Sequence, residues 1–137
     1  MENLRLSVGG QQRGIRIGQI AVHIPFDVGN AVVGENIADH GGLQISYQAF
    51  KKATAQNPLG EKDGFTAEQR FFLAYANVWA GNIRPEEILN RTKTDVHSLG
   101  KWRVNGALPH INAWYEAFGI TENDPMFLPQ SERVVIW

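Results

Sequence analysis

The spacing of apolar residues changes near residue 34, and this change constrains the fold more than any other feature of the sequence. Residues 1–33 alternate apolar with other side chains in short runs rich in β-branched residues, as at Ile20, Val22 and Ile24. Such alternation is typical of β-strands. We therefore predict a small antiparallel β segment in residues 1–33, which Pro25 and the turn-forming residues 27–30 end.

Residues 34–137 show helical spacing instead, and they predict about four helices. The first is expected from Glu35 to about Lys52, and the pair Thr66 and Gln69 predicts a capping box that opens the second. Gly81 is the expected C-terminal cap of this second helix. Its buried face is expected to carry Phe71, Phe72, Tyr75, Val78 and Trp79.

The remaining helices are predicted from proline and glycine positions. Pro85 suits the first turn of a third helix, and Pro109 starts a last helix that Gly119 ends in a Schellman motif. Residues 92–106 are predicted to be a loop. The fold class expected for the chain is α+β, mainly α-helical with a small N-terminal antiparallel β segment. We expect two parts, residues 1–33 and residues 34–137.

Composition excludes several classes of function. The chain has 137 residues and a formal net charge of -1, which gives no support to general nucleic-acid binding. It has no cysteine, so disulfide scaffolds, thiolate metal sites and cysteine nucleophiles are excluded. No apolar run approaches the roughly 20 residues of a transmembrane helix, and the N-terminus does not resemble a signal peptide.

The first motif with chemical potential is the segment GENIAD at residues 34–39. Glu35 and Asp39 are four residues apart, so a helix places both carboxylates on one face. One could bind a metal while the other orients a histidine ligand. Alternatively both are exposed, and Glu35 simply suits a helix N-terminus.

The second motif is the segment DVHSLGKWRVNG at residues 95–106. Its His97 and Arg103 can point at the same oxyanion and stabilise charge that grows on a carbonyl oxygen. The alternative is a surface loop in which Arg103 pairs with a carboxylate and His97 is solvated. The spacing alone favours the surface loop.

Four segments together resemble the C-terminal part of the neprilysin and endothelin-converting-enzyme family of zinc metallopeptidases. They are GENIADHGGL at 34–43, FFLAYANVWAGNIRPE at 71–86, HSLGKWRVNGALP at 97–109 and ERVVIW at 132–137. They occur in the family's order and close to its spacing. The resemblance implies part of a thermolysin-like zincin catalytic domain, which hydrolyses peptide bonds with a zinc-activated water.

The resemblance also implies roles for individual residues. Glu35 matches the family's glutamate zinc ligand, and Asp39 matches the aspartate that holds a zinc-binding histidine. His97 and Arg103 match the residues that bind substrate and stabilise the tetrahedral intermediate. His40 stands where many relatives have asparagine, and we interpret it as variation and not as a ligand. The lack of a cysteine near the C-terminus suggests a bacterial type.

One part of the family's site is missing from this sequence. The other two zinc ligands and the general base come from an HExxH helix, but none of the four histidines here is followed by glutamate. A catalytic zinc takes three protein ligands and a water. We therefore expect that the chain alone binds Zn²⁺ weakly and is inactive.

Two other hypotheses stay open at this stage. One is a non-catalytic module that binds peptides or a partner through the segment containing His97 and Arg103. The other is a rebuilt metal site in which His23 joins Glu35.

Partners and compartment are less constrained by the sequence. Short peptides are the substrate class that the resemblance implies. Removal of the HExxH region would uncover the helix face that carries Ala38, Gly41 and Gly42. This predicts a homodimer or higher assembly, or strand pairing between copies through residues 1–33; alternatively the N-terminal segment folds back over this face. Relatives are usually exported or membrane-anchored, but this sequence shows neither signal nor anchor, so the compartment stays open.

Overall fold

The computed structural model describes residues 26–136, with side chains from residue 33 onwards. Five α-helices follow one another in this part of the chain: α1 (Phe26–Thr54), α2 (Ala67–Val78), α3 (Pro85–Thr94), α4 (Gly100–Ala107) and α5 (Asn112–Phe118). Short 3₁₀ turns lie at Leu108–His110 and Gln130–Glu132. None of the helices in residues 26–136 combines the length and apolarity needed to cross a membrane.

The core is formed where α1 packs on α4 and α2 packs on α5. Phe72 of α2 is 1% exposed and lies at its centre. Around it lie the other buried members, which are Leu43, Val104, Ala107, Leu108, Ile111, Trp114 and Tyr115. Burial of these apolar side chains is the main favourable term that holds the helices together.

Several local signals in the sequence are confirmed. Thr66 accepts a hydrogen bond from the backbone N–H of Gln69, and the Gln69 side chain accepts one from the Thr66 N–H, so both halves of the capping box are present. Pro85 begins α3. Gly119 has φ of 60°, and the N–H of Ile120 donates to the Tyr115 carbonyl at 3.1 Å, as a Schellman motif requires.

The N-terminal prediction is corrected where the structure describes it. Helix α1 begins at Phe26, so residues 27–30, which were expected to form a turn, are helical. Turn-forming residues are only weak local signals, and tertiary context overrides them. The predicted strands themselves fall within residues 1–25 and lie outside the described residues. Helix α1 continues through residue 34. The division into residues 1–33 and residues 34–137 stays a prediction.

The predicted loop at residues 92–106 is confirmed only at residues 95–99 and is wrong on both sides of them. Residues 92–94 complete α3, and Gly100–Ala107 form α4. Two glycines lower the helical propensity of α4, but Val104 and Ala107 are buried in the core, so packing stabilises a helix that propensity disfavours.

The second helix ends earlier than predicted. Trp79 is the C-terminal cap of α2, and Gly81 lies beyond it without a left-handed conformation. Val78, which was expected to be buried, is 71% exposed. The other predicted inward side chains of α2 are at least partly buried.

Candidate active site

The two sequence motifs meet where α1 packs against α4. Glu35 and Asp39 lie one turn apart on α1, as their spacing predicted. Arg103 lies on α4, and His97 lies in the short segment between α3 and α4. Arg103 pairs with Asp39 and His97 lies beside Glu35, so the structure brings all four predicted site residues together.

Asp39 and Arg103 form the strongest contact in this site. The Arg103 Nε donates to Asp39 Oδ2 at 2.5 Å, and its Nη2 donates to Asp39 Oδ1 at 2.7 Å. The two side chains are only 13% and 14% exposed, so this two-pronged ion pair is largely shielded from water. Hydrogen bonding to Asp39 raises the pKa of Arg103, which keeps the guanidinium charged.

Two aromatic residues of α2 and its cap hold Arg103 from the other side. The guanidinium carbon lies 3.8 Å from the centre of the Trp79 ring, which is a cation–π contact. The Tyr75 hydroxyl donates to the Arg103 carbonyl at 3.0 Å. Burial raises the pKa of Tyr75 to about 12, so this hydroxyl keeps its proton. Arg103 is therefore fixed in both position and charge.

His97 is oriented by a local turn. The Asp95 carboxylate accepts hydrogen bonds from the His97 backbone N–H at 2.9 Å and pairs with the ring Nδ1 at 2.8 Å. These contacts with His97 lower the pKa of Asp95. The opposite ring atom, Nε2, lies 3.5 Å from Glu35 Oε2. The His97 side chain is 42% exposed, so it remains accessible to a ligand.

A cleft of about 410 Å³ opens beside these two basic residues. Arg103 and His97 line it together with apolar side chains that include Val78, Trp79 and Ile83. None of the described residues accepts a hydrogen bond from Nη1 of Arg103. The cleft therefore combines an apolar wall with unused donors that can bind a carbonyl oxygen or carboxylate.

The surface-loop interpretation of the segment containing His97 and Arg103 is correct for His97 and wrong for Arg103. Arg103 does pair with a carboxylate, but it is largely buried on a helix. His97 lies outside the helices and is exposed. Asn36 is partly buried beside Glu35, and Asn105 lies on α4.

The described residues do not fit a complete catalytic zinc site. No group of three or more histidine, aspartate or glutamate side chains in residues 33–136 has the arrangement to hold a metal ion. The Glu35 carboxylate lies near His97 Nε2, while both Asp39 oxygens are engaged by Arg103. A carboxylate has about four lone-pair positions, so Asp39 can still accept a histidine N–H as well.

Sequence reasoning missed three contributors to the site. Trp79 and Tyr75 precede Arg103 by more than 20 positions, and no local pattern links them. Asp95 could have been predicted from the sequence, because an aspartate side chain often accepts a hydrogen bond from the backbone N–H two residues further on. His40, interpreted as simple variation, is 4% exposed and faces His110 with 5.5 Å between ring centres.

The site therefore places two carboxylates of one helix beside a largely buried arginine and an exposed histidine, at the edge of a partly apolar cleft. Residues 24–134 match Peptidase family M13. The chain belongs to this family, which is the neprilysin family.

Known relatives agree with this assignment. Human membrane metallo-endopeptidase-like 1 is 41% identical over 111 residues, which are 77% of this chain. Human neprilysin is 41% identical over 110 residues. The zinc metalloprotease Zmp1 of Mycobacterium tuberculosis, in complex with an inhibitor, superimposes with a TM-score of 0.78 at 36% identity over 88% of this chain.

The match covers a small share of each relative. It spans 14% of the length of human membrane metallo-endopeptidase-like 1 and of human neprilysin. It spans 20% of the Zmp1 chain. The activities of these relatives therefore belong to chains that are much longer than these 137 residues.

Proposed function

We propose that this chain forms the C-terminal part of the active site of a bacterial-type zinc metalloendopeptidase and is inactive by itself. The observation that carries the proposal is the convergence of Glu35, Asp39, His97 and Arg103 at the interface of α1 and the α3–α4 region. In the family as a whole, zinc supplies the activated water that attacks the peptide bond.

Each residue has a specific task in this proposal. Glu35 is the carboxylate zinc ligand, and Asp39 orients a histidine ligand from the HExxH segment while it anchors Arg103. Arg103, fixed by Asp39 and Trp79, donates to a carbonyl oxygen of the bound peptide. In its imidazolium form, with a proton on each ring nitrogen, His97 donates from Nε2 to the oxyanion while Asp95 accepts from Nδ1 and sets the ring orientation.

The cleft supports short peptides with a hydrophobic side chain as ligands. Val78 and Trp79 form an apolar wall next to the unused donors of Arg103. A peptide could place a hydrophobic side chain against this wall and its carbonyl against the guanidinium.

Metal content and activity of the purified 137-residue chain test the proposal. We expect no stoichiometric zinc retention after dialysis and no cleavage of short hydrophobic peptides, because a single identifiable ligand is too few for a catalytic zinc. Tight zinc binding at one equivalent together with peptide cleavage would overturn it. The DNA upstream of Met1 provides a separate test, since an HExxH reading frame there would identify the missing part.

The alternative is a non-catalytic peptide-binding module. It is favoured by the cleft, whose basic residues are fixed by contacts within the chain and need no metal. Titration with a short hydrophobic peptide, followed by NMR, distinguishes it from an inert fragment. Saturable shifts of the Trp79 indole that disappear in Arg103→Met would support the module, and their absence in the wild type would count against it.

A rebuilt zinc site with His23 is a third hypothesis. His23 lies outside the described residues, and the hypothesis rests on the sequence alone. Equal zinc content in the wild-type chain and in His23→Ala would remove this hypothesis.

The homodimer predicted from α1 is likewise a proposal. On this helix Ala38 and Gly42 are exposed and Gly41 is buried. A clean monomer by sedimentation at high concentration would exclude it.

A further inference from the structure

Three buried polar atoms belong to residues that line one small cavity between α1 and the 3₁₀ turn Leu108–His110. They are Asn36 Oδ1, His40 Nε2 and His110 Nε2, and none has a hydrogen-bond partner among the described residues. All three residues line the same cavity, which has a volume of about 20 Å³. His40 and His110 are 4% and 6% exposed, so bulk water does not reach their rings.

Such a concentration of unpaired atoms calls for a ligand. Buried polar groups in folded proteins are nearly always hydrogen-bonded, either to protein or to ordered water. The two rings lie 5.5 Å apart between centres and form no direct hydrogen bond with each other. A small ligand in the cavity that both donates and accepts hydrogen bonds can therefore pair with these atoms.

The C-terminal segment determines which nitrogen of His110 carries the proton. The backbone N–H of Val134 donates to His110 Nδ1 at 3.0 Å. Nδ1 is therefore the unprotonated nitrogen, and its lone pair accepts this hydrogen bond. A neutral His110 ring then carries its proton on Nε2. Burial and the nearby charge of Arg133 lower the pKa of His110, which favours this neutral ring.

The three atoms then have complementary roles. His110 Nε2 offers a donor to the cavity, while Asn36 Oδ1 offers an acceptor. Burial, followed by the effect of His110, lowers the pKa of His40 to about 4, so its ring is neutral near pH 7 and one nitrogen is an acceptor. If the proton of His40 is on Nδ1, the cavity contains one donor and two acceptors.

We propose that this cavity is a binding site for one ordered water molecule, which accepts from His110 Nε2–H and donates to Asn36 Oδ1 and His40 Nε2. A single water needs roughly 10–15 Å³ and two to four polar partners, and both conditions are met. Its two hydrogens and one lone pair satisfy all three orphaned atoms.

A divalent cation is the competing occupant, and the geometry disfavours it. A metal ion needs the lone pair of each imidazole, but the proton of His110 occupies Nε2 while Val134 uses Nδ1. The described residues also provide no third histidine, aspartate or glutamate ligand to complete such a group.

The water connects parts of the chain that are distant in sequence. His40 is next to Asp39 on α1, and Arg103 lines the same cavity from α4. His110 holds the C-terminal segment through Val134. The bound water therefore helps to set the position of α1 relative to α4 directly behind the Asp39–Arg103 pair. It is a positioning site and not a catalytic one.

Imidazole ¹⁵N NMR on the full wild-type chain near pH 7 tests the proposal. We expect a protonated Nε2 and an acceptor Nδ1 for His110, and the opposite tautomer for His40. A water-to-Hε2 cross-peak at His110, or a crystallographic water within hydrogen-bonding distance of all three atoms, is expected as well. An unprotonated Nε2 on His110, or a well-ordered crystal structure without this water, would overturn the proposal.

Two further measurements separate the occupants. Addition of Zn²⁺ should leave the Nε2 signals of both rings unchanged; a shift of both at one equivalent would establish a metal site instead. In His40→Leu we expect the His110 Hε2 proton to exchange at least tenfold faster, because the water loses an acceptor. Ser46→Ala, at an exposed position of α1 that lines neither this cavity nor the neighbouring cleft beside His110, is the control and should keep the wild-type exchange rate.

Discussion

At the scale of single residues, Arg103 shows how one side chain can be held by several independent contacts. Asp39 binds two of its nitrogens, Trp79 lies against the plane of its guanidinium, and Tyr75 binds its carbonyl. The sequence pattern identified Arg103 and Asp39 through the family resemblance. It did not show that they bind each other, because 64 positions separate them.

We predict that Asp39→Asn destabilises the fold by about 3 kcal/mol, because it leaves the partly buried guanidinium without its charged partner. Urea denaturation measures the change in the free energy of unfolding. Glu87→Gln is the control, since it breaks an exposed ion pair with Arg91 and should have no measurable effect. Equal stability of wild type and Asp39→Asn would contradict the prediction.

Acid sensitivity is a second prediction at the scale of residues. Burial and His110 lower the pKa of His40 from its ordinary value of 6.5 to about 4. Between these values the unfolded chain binds a proton that the folded chain excludes, so stability falls as pH falls from 6.5 towards 4. At about 1.4 kcal/mol per pKa unit, this loss is about 3 kcal/mol.

Urea denaturation at pH 7, 5.5 and 4 measures the acid effect. Carboxylates also titrate in this range, so the contribution of His40 is the difference between wild type and His40→Asn. The variant should lose less stability on acidification than the wild type. The same pH dependence in both proteins would show that His40 does not cause it.

At the scale of secondary-structure elements, three local backbone signals were confirmed, whereas the Gly81 cap and the turn at residues 27–30 were wrong. The capping box at Thr66, the proline that begins α3 and the left-handed Gly119 were all predicted correctly. Helix α4 was missed because its stability comes from burial of Val104 and Ala107 against distant residues. Propensity does not contain that contribution.

Two glycines in helices predict opposite effects on substitution. A Cβ atom on Gly42 meets nothing within 4 Å, so Gly42→Ala should stabilise α1 by about 0.5–1 kcal/mol. A Cβ atom on Gly100 lies 2.7 Å from the Trp79 carbonyl oxygen, so Gly100→Ala should destabilise by about 1–3 kcal/mol. Thermal unfolding of both variants checks the pair, and a stabilising Gly100→Ala would contradict the close approach.

At the scale of the whole molecule, the C-terminal segment is fastened across the helices. The Arg133 guanidinium lies 3.5 Å from the centre of the Tyr115 ring and donates to Leu128 and Asn112 at 2.9 and 2.8 Å. Val134 adds the hydrogen bond to His110. Arg133 and Val134, from the C-terminal segment 132–137 that resembles the family, therefore hold this segment against the helices beside His40 and His110.

We predict that Arg133→Ala lowers stability by about 1–2 kcal/mol, because it removes a cation–π contact and two hydrogen bonds. The segment after Leu128 should also become more sensitive to limited proteolysis. Arg133→Lys keeps the charge but not the planar fork, so it should give an intermediate result. Unchanged proteolysis in Arg133→Ala would show that other contacts hold the segment.

The sequence by itself determined the family and three helix ends, namely the starts of α2 and α3 and the end of α5, because these depend on motifs and on short-range backbone chemistry. Only the tertiary structure showed that Asp39 binds Arg103, that Trp79 supports it and that His40 and His110 share a cavity. Those contacts depend on how α1, α4 and the C-terminal segment pack against one another. Packing is set by side chains far apart in the chain, and no local pattern encodes it.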